Sequence, residues 1–325
     1  MADPSQRFVP APVRSAAFAD RGDVEACRAI LAEGSKSFAS ASRLLPPRIR
    51  DPAAVFYAFC RVADDLVDFS DDPGVAVESL TSRLDDIYAG SPADDPVDRA
   101  LTVVVRQFEI PRRAVDALIE GFEWDAAERN YDTLEDLLGY CARVASAVGV
   151  VMTVMMGPRD DRTLARACDL GAAMQLTNIC RDVAEDAGRG RLYLPANMLR
   201  DRGMDPSHFV AHVDEYAGDA RISAVIRELL DAADEYYRRA DAGIPMLPWD
   251  SRPAIRAARL IYSDIGRVIR KHGCDPTQPR AHTSKLRKLW LLSRALLRRT
   301  PRADAKRADA PVVDACAFLL ASPTD

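Results

Sequence analysis

Residues 175–186 read QLTNICRDVAED. Leu176, Ile179 and Val183 recur at the spacing of a helix that buries one face. Gln175, Asn178, Asp182 and Asp186 recur at the same spacing beside them. Positions four apart on a helix lie about 40° apart around the axis and about 6 Å along it, so Asn178, Asp182 and Asp186 form one ridge, with Gln175 just beyond its start. Oxygen-bearing side chains bordered by apolar residues can face a cavity where a hard cation binds, because Mg²⁺ takes oxygen ligands and keeps several waters. Standing alone, a D-x-x-x-D is usually only a solvated face.

A second stretch changes that balance. In YAFCRVADDLVD, residues 57–68, Tyr57, Arg61, Asp64 or Asp65, and Asp68 recur at helical spacing among Phe56, Phe59, Val62, Leu66 and Val67. Two acidic ridges with apolar flanks read as facing walls of one space. Carboxylates directed into one space repel unless cations hold them. The pair therefore implies a bound divalent metal, of the kind that bridges phosphate oxygens. Arg61, Lys36, Arg189, Arg191 and Arg280 are candidate cationic partners for such a phosphate. Neither G-x-x-x-x-G-K-[ST] nor a strand followed by G-x-G-x-x-G occurs, so no nucleotide cofactor is expected.

Outward from these two stretches the chain reads as helix almost throughout. Helical spacing begins around Ala16 and predicts segments at about 22–33, 36–44, 52–69, 75–89, 94–107, 112–129, 133–156, 160–187, 216–241, 249–271 and 283–298. Between them stand turn residues such as Pro46-Pro47, Asp72-Pro73-Gly74, Gly90-Ser91-Pro92, Gly157-Pro158 and Gly188-Arg189-Gly190. No alternating strand pattern, repeat or change of composition marks a second domain. The expected organisation is a disordered lead over 1–15, one helical domain over 16–300, and a partly helical tail over 301–325 that contributes least to the core.

Composition bounds the function class. The 325 residues are 48% hydrophobic, enough for a large core, and the net charge of −5 gives no general attraction to nucleic acid. Seven cysteines without a C-x-x-C pair read as reduced packing residues, which fits the cytoplasm. Neither a signal peptide nor a spanning helix is indicated. His208 and His212 lack the Glu of a zinc-protease motif and read as a surface helix.

With those blocks in view, the chain closely resembles the squalene and phytoene synthases. The matching stretches are GSKSF (34–38), YAFCRVADDLVD (57–68), YCARVASAVG (140–149), LGAAMQLTNICRDVAEDAGRGRLYLP (170–195) and ARLIYSDI (258–265). The resemblance implies an all-α, single-domain helical bundle of the isoprenoid-synthase type with a central apolar cavity. It implies that Asp64, Asp65 and Asp68 form a first aspartate-rich motif and Asp182 and Asp186 a second, holding Mg²⁺, or Mn²⁺ in its place, and substrate diphosphate. Asn178 and Gln175 would assist, and Ser35, Lys36, Tyr57, Arg61, Arg181, Arg189, Arg191, Tyr262 and Arg280 match positions around the diphosphates. Tyr140, Val144 and Gly149 match the helix lining the cavity. Two departures stand out: Val144-Ala145-Ser146 where many relatives have Val-Ala-Gly, and Gly34 where some have His.

The reaction this resemblance implies is head-to-head coupling of two geranylgeranyl diphosphates to phytoene, through a cyclopropylcarbinyl (prephytoene) diphosphate, in carotenoid biosynthesis. Metals and arginines would stabilise the leaving charge. An apolar cavity would exclude water from the cation, and aromatic faces such as Tyr57, Tyr140 and Phe38 would attract it. The alternatives are the same coupling of C15 units to dehydrosqualene or squalene, and a noncatalytic helical assembly factor. The latter should have lost acidic residues that this chain keeps.

One basic stretch stands apart. Residues 285–307, KLRKLWLLSRALLRRTPRADAKR, carry nine Lys or Arg against Asp304, interleaved with Leu289, Trp290, Leu292, Leu296 and Leu297. Such a helix can lie on anionic lipid, as a peripheral contact at the inner face of the membrane, where downstream carotenoid enzymes would also be met. The plainer reading has the leucines facing the core.

Overall fold

The computed structural model describes residues 19–297 and 305–320, with the side chains of 36 and 37 outside the description. Every regular element among the described residues is helical. In chain order these are α1 (Arg21–Gly34), α2 (Lys36–Ser42), α3 (Pro47–Asp68), α4 (Pro73–Ala89), α5 (Pro96–Phe108), α6 (Arg112–Ala126), α7 (Leu134–Cys141), α8 (Ala147–Met156), α9 (Asp161–Gly188), α10 (Ala196–Arg200), α11 (Pro206–Ala211), α12 (Ala220–Gly243), α13 (Arg252–Lys271), α14 (Lys285–Leu297), α15 (Ala305–Ala308) and α16 (Ala317–Leu320). A π-helical turn, Ala142–Ser146, joins α7 to α8.

The expected turn residues set the helix ends. Asp72 accepts from the Val75 amide and Pro73 opens α4, while Gly90 closes it in the left-handed region at φ 86°. Asp160 caps α9 through the Thr163 amide at 2.9 Å. Thr133 and Asp136 form a reciprocal capping box at the start of α7.

Several boundaries differ from the sequence reading. Helix α1 begins at Arg21, behind the Asp20 cap, within a residue of the expected segment 22–33; Ala16 and the lead over 1–15 lie outside the described residues. Helix α3 starts at Pro47 and carries Pro52 inside it, so a proline that reads as a helix start is an interior residue. Helix α6 ends at Ala126, before Glu128 turns to positive φ. The expected segment from 216 resolves into a 3₁₀ turn, Val213–Tyr216, and α12 from Ala220.

Helix α9 stands in the middle, packed against α8, α12 and α13. One apolar core gathers α3, α4, α5, α6 and α8, and a second gathers α7, α9, α12 and the end of α13. Where α8 and its π turn meet α9 the backbones touch: a Cβ on Gly149 would lie 2.7 Å from the Ala167 carbonyl oxygen, and one on Gly171 would lie 2.6 Å from that of Ala145. Only glycine allows that approach.

The run Leu134–Met156 is long and apolar enough to cross a membrane, which the sequence reading did not flag, but 67% of its most apolar stretch is buried inside the fold. Here it serves as a core helix. The tail also contributes more than expected. Cys316 and Leu319 are buried, and Arg166 of α9 donates to the carbonyl oxygens of Arg307, Ala308 and Pro311. A guanidinium buried with an apolar core around it needs those acceptors.

Candidate active site

The last turns of α3 and α9 carry the two acidic ridges. On α3, Arg61 holds both of its acidic neighbours, reaching Asp64 at 3.1 Å and Asp65 at 2.6 Å. On α9, Asp182 accepts from Arg181 Nε at 2.8 Å and from Arg280 at 2.7 and 3.1 Å. Arg280 arrives from the segment after α13 and also lies 3.5 Å from Glu185. The ridges are joined by the turn that follows α9: Arg191 donates to Asp68 at 2.9 Å and Arg189 at 3.3 Å.

Negative charge nonetheless exceeds what these arginines neutralise. Burial, then Asp182 and Glu185, push the Asp186 carboxyl up to about 7. Burial and Asp68 push Asp64 up to about 6, against the pull of Arg61. Asp182 goes the other way: burial alone would raise it, but the hydrogen bonds from Arg181 and Arg280 hold it below the usual carboxylate range. One ridge thus carries a compensated carboxylate and an uncompensated one a helical turn apart.

Behind the acidic residues an apolar cavity of about 290 Å³ runs into the bundle. Tyr57, Tyr262, Gln175 and Asn178 line it toward the acidic end. Phe56, Val144, Gly149, Met152 and Leu170 line its length, and Thr163, Arg166 and Ile244 belong to its far part. Along α9, Asn178 to Thr163 spans about 22 Å at the helical rise per residue. Tyr57 stacks on Phe38 with ring centroids 5.3 Å apart, and a Cβ on Gly34 would collide with the Tyr57 hydroxyl, so the departure at 34 makes room for that ring. Tyr262 is hydrogen-bonded to Ser35, whose hydroxyl also caps α2 at the Phe38 amide.

The other departure falls on the π turn. Val144 and Ala145 line the cavity, while the Ser146 hydroxyl donates to the Cys168 carbonyl at 2.9 Å and is fully buried. A π turn interrupts the regular ladder and is common at functional sites. Here it sits in the cavity wall.

One expectation needs correction. Tyr140 is not part of the cavity lining; its hydroxyl donates to Asp125 at 2.9 Å, and its ring packs 5.0 Å from that of Tyr193. Asp65 is held by Arg61 at 2.6 Å, as Asp64 is at 3.1 Å. The Lys36 side chain lies outside the described residues. His208 meets the Tyr216 hydroxyl at 3.0 Å and stacks on His212, as surface residues of α11 and its end.

Asp125 and Tyr193 went unnoticed in the sequence. Asp125 accepts from Tyr193 at 2.7 Å as well as from Tyr140, and burial raises it to about 6 despite both bonds and Arg191. It occurs in EWDAAERN, residues 123–130, a polar run with no apolar face to betray it. The one available signal was the set Tyr131, Tyr140 and Tyr193, which pack together.

The donors present are hard oxygens, and the Asn178 side-chain oxygen is buried without a hydrogen-bond partner. Among the described residues no three acidic, histidine or cysteine side chains converge closely enough to hold an ion alone. Oxygen donors of this kind suit a hard cation such as Mg²⁺, which keeps several waters and is bound through carboxylates together with substrate phosphates.

Comparison with known proteins agrees with this architecture. The family model described as squalene/phytoene synthase matches residues 31–287. A phytoene synthase of Rhodobacter capsulatus is 48% identical over 314 residues, covering 93% of this chain and 92% of that protein. Among solved structures, a dehydrosqualene synthase in complex with ligand superposes with a TM-score of 0.78 at 32% identity, covering 85% of this chain and 95% of that one. A squalene synthase from Alicyclobacillus acidocaldarius gives 0.72 at 27% identity, covering 79% and 96%. With two acidic helices joined at the mouth of an apolar cavity, and the family match running through both, this chain belongs to the squalene/phytoene synthase family.

Proposed function

We propose that this protein condenses two molecules of geranylgeranyl diphosphate head to head to phytoene, in carotenoid biosynthesis, with release of diphosphate and with Mg²⁺ held between Asp64 and Asp68 of α3 and Asp182, Asp186 and Asn178 of α9. The observation that carries this reading is the Asp68–Arg191 junction, which brings both acidic ridges and their arginines to one end of a cavity long enough for a prenyl chain.

Bound there, Mg²⁺ supplies the charge that weakens the allylic C–O bond. The chain's own residues do the rest. Arg189, Arg191 and Arg280 sit on carboxylates in the free protein and exchange them for diphosphate oxygens, for which a guanidinium fork is well shaped. The leaving group is thereby held at the polar end. The apolar walls keep water from the allylic cation, and the stacked Tyr57 and Phe38 rings offer it a π face. The hydrogen-bonded Asp125–Tyr140–Tyr193 group fixes the end of α6 against the turn after α9, and so positions Arg191. The exposed leucines of α14 support a working position at a lipid surface, from which a prenyl substrate comes.

The test is incubation of purified protein with labelled C20 or C15 diphosphate and Mg²⁺ without NADPH, followed by sizing of the hydrocarbon. A C40 product from the C20 substrate is expected. Faster C30 formation from the C15 substrate would overturn the chain-length assignment, and no hydrocarbon from either would overturn the activity.

A further inference from the structure

Helix α14 has more apolar surface than its seat uses. Leu291 and Ala295 are buried toward α13, yet Leu286, Leu289, Trp290, Leu296 and Leu297 are 82, 65, 47, 57 and 84% exposed. Five large apolar side chains left open on one short helix form a patch of the kind that marks an interaction site.

Between α13 and α14, next to that patch, lies a second cavity of about 340 Å³. Arg256, Arg259, Arg267, Arg287 and Arg294 wall it, against only Asp241 and Asp264. The two carboxylates are already engaged: Asp264 accepts from Arg267 at 2.7 Å and Arg287 at 3.1 Å, and Asp241 pairs with Arg259 at 2.8 Å. Arg256 is fixed by the Ala295 carbonyl at 2.8 Å. Buried Nε of Arg259 has no hydrogen-bond partner. Arg256 aside, the four guanidiniums of Arg259, Arg267, Arg287 and Arg294 facing two carboxylates leave a positive excess in a concave, half-enclosed space, which selects an anion with several oxygens.

The pocket and the apolar patch are one surface. Arg287 lies over the Trp290 ring at 4.3 Å and Arg294 at 5.4 Å, so the exposed indole is flanked by the pocket's own guanidiniums. We infer that this pocket binds the phosphate headgroup of an anionic phospholipid while Trp290 and the exposed leucines of α14 enter the acyl boundary. Charge complementarity names the headgroup, and the apolar rim names a lipid over a free anion or an acidic peptide. The inference rests on the reading of α14 as lipid-facing and adds to it a specific site. It also has a consequence for the reaction: α13 turns Ile255, Ala258 and Tyr262 to the prenyl cavity and Arg256, Arg259 and Arg267 to the headgroup pocket, and Ile244 borders both. One helix thickness separates the substrate cavity from the bilayer.

Co-sedimentation of the purified full chain with vesicles of phosphatidylcholine alone, or of phosphatidylcholine mixed with phosphatidylglycerol, tests this without substrate. Its outcome is therefore separate from that of the coupling assay. Preferential binding to the mixed vesicles is expected. Arg294→Glu should weaken that binding about tenfold, as reversal of one charge near an anionic surface does, and leave binding to the neutral vesicles unchanged. Leu289→Ser with Trp290→Ala should weaken both; thermal melts confirm that each variant folds. Equal binding to both vesicle types, insensitive to Arg294→Glu, overturns the headgroup site and spares the lipid-facing helix. Binding to neither overturns both. Displacement from mixed vesicles by inorganic phosphate at constant ionic strength, with no loss in the Leu289→Ser, Trp290→Ala variant, assigns the pocket to a free anion and overturns the lipid.

Discussion

Arg191 reaches Asp68 at 2.9 Å across 123 residues of sequence, and this ion pair joins the end of α3 to the turn after α9. Arg189 shares the same carboxylate from a more exposed position. Both arginines are thus stored on a carboxylate that the proposed metal would claim when substrate arrives. Arg191→Ala is expected to raise KM for the diphosphate by about 10- to 100-fold, the worth of one charge-assisted pair. Arg191→Lys should recover only part of it, because an ammonium lacks the planar fork. Steady-state kinetics with labelled substrate read both values.

Asp182 and Asp186 lie one helical turn apart and are expected to differ in stability while agreeing in function. Asp186 carries charge that burial and its acidic neighbours oppose, so Asp186→Asn should raise the melting temperature at neutral pH. Asp182 holds Arg181 and Arg280; Asp182→Asn should lower stability by about 1 kcal/mol, a modest value because Arg280 is largely exposed. Each variant should lose about 100-fold or more in turnover. Parallel thermal melts and rate measurements check the opposite signs.

The same groups give a pH dependence. Asp186 at about 7, and Asp64 and Asp125 at about 6, are raised in the folded protein. A raised carboxyl binds its proton more tightly folded than unfolded, so its contribution is fully present below the unfolded pKa and is lost as pH climbs through the folded one. The free protein should therefore lose stability from about pH 4 to about pH 7 through these groups. Added Mg²⁺ with inorganic diphosphate should raise the melting temperature more at about pH 8, where the carboxylates are ionised, than at about pH 5. Equal shifts at both would count against carboxylate ligation.

Asp125 does not face the cavity, yet two tyrosine hydroxyls and the approach of Arg191 depend on it. Asp125→Asn keeps the shape but replaces one acceptor oxygen with a donor, leaving one tyrosine hydroxyl without its acceptor. A cost of about 1–3 kcal/mol in stability is expected, together with a rise in KM that matches the direction seen for Arg191→Ala. A loss of stability with unchanged KM would limit Asp125 to a structural part.

Gly149 tests the close approach of α8 to α9. The added methyl of Gly149→Ala would stand 2.7 Å from a backbone oxygen, which cannot swing aside as a side chain can. Overpacking of this kind costs about 1–3 kcal/mol. Separation of the two helices should also change the cavity, read as altered product size or lower turnover in the coupling assay.

Much of the helical layout was legible because its cause is local. Apolar residues at a period of 3.6 mark α9 and α12 without knowledge of their neighbours, and Asp72-Pro73 or Asp160 mark a start by satisfying amides within one turn. Pro52 misled because a proline fits a helix start on local grounds, whereas α3 carries it in its interior, buried in the packing. Asp125 was invisible for a related reason. Its tyrosine partners are 15 and 68 residues away, and nothing in the polar run around it distinguishes a half-buried, hydrogen-bonded carboxylate from a solvated one.

By itself, then, the sequence determined an all-helical chain and two oxygen-rich ridges on helices with apolar flanks, since both follow from side-chain periodicity along a single element. Which arginine meets which carboxylate was decided only by tertiary packing. Arg280 finds Asp182 across 98 residues, Arg166 of the core helix satisfies the carbonyls of the chain's last segment, and five arginines from α13 and α14 collect around one pocket. The physical reason is that periodicity fixes the face a residue occupies, while the partner on the opposite face is fixed by how whole helices bury their apolar surface against one another.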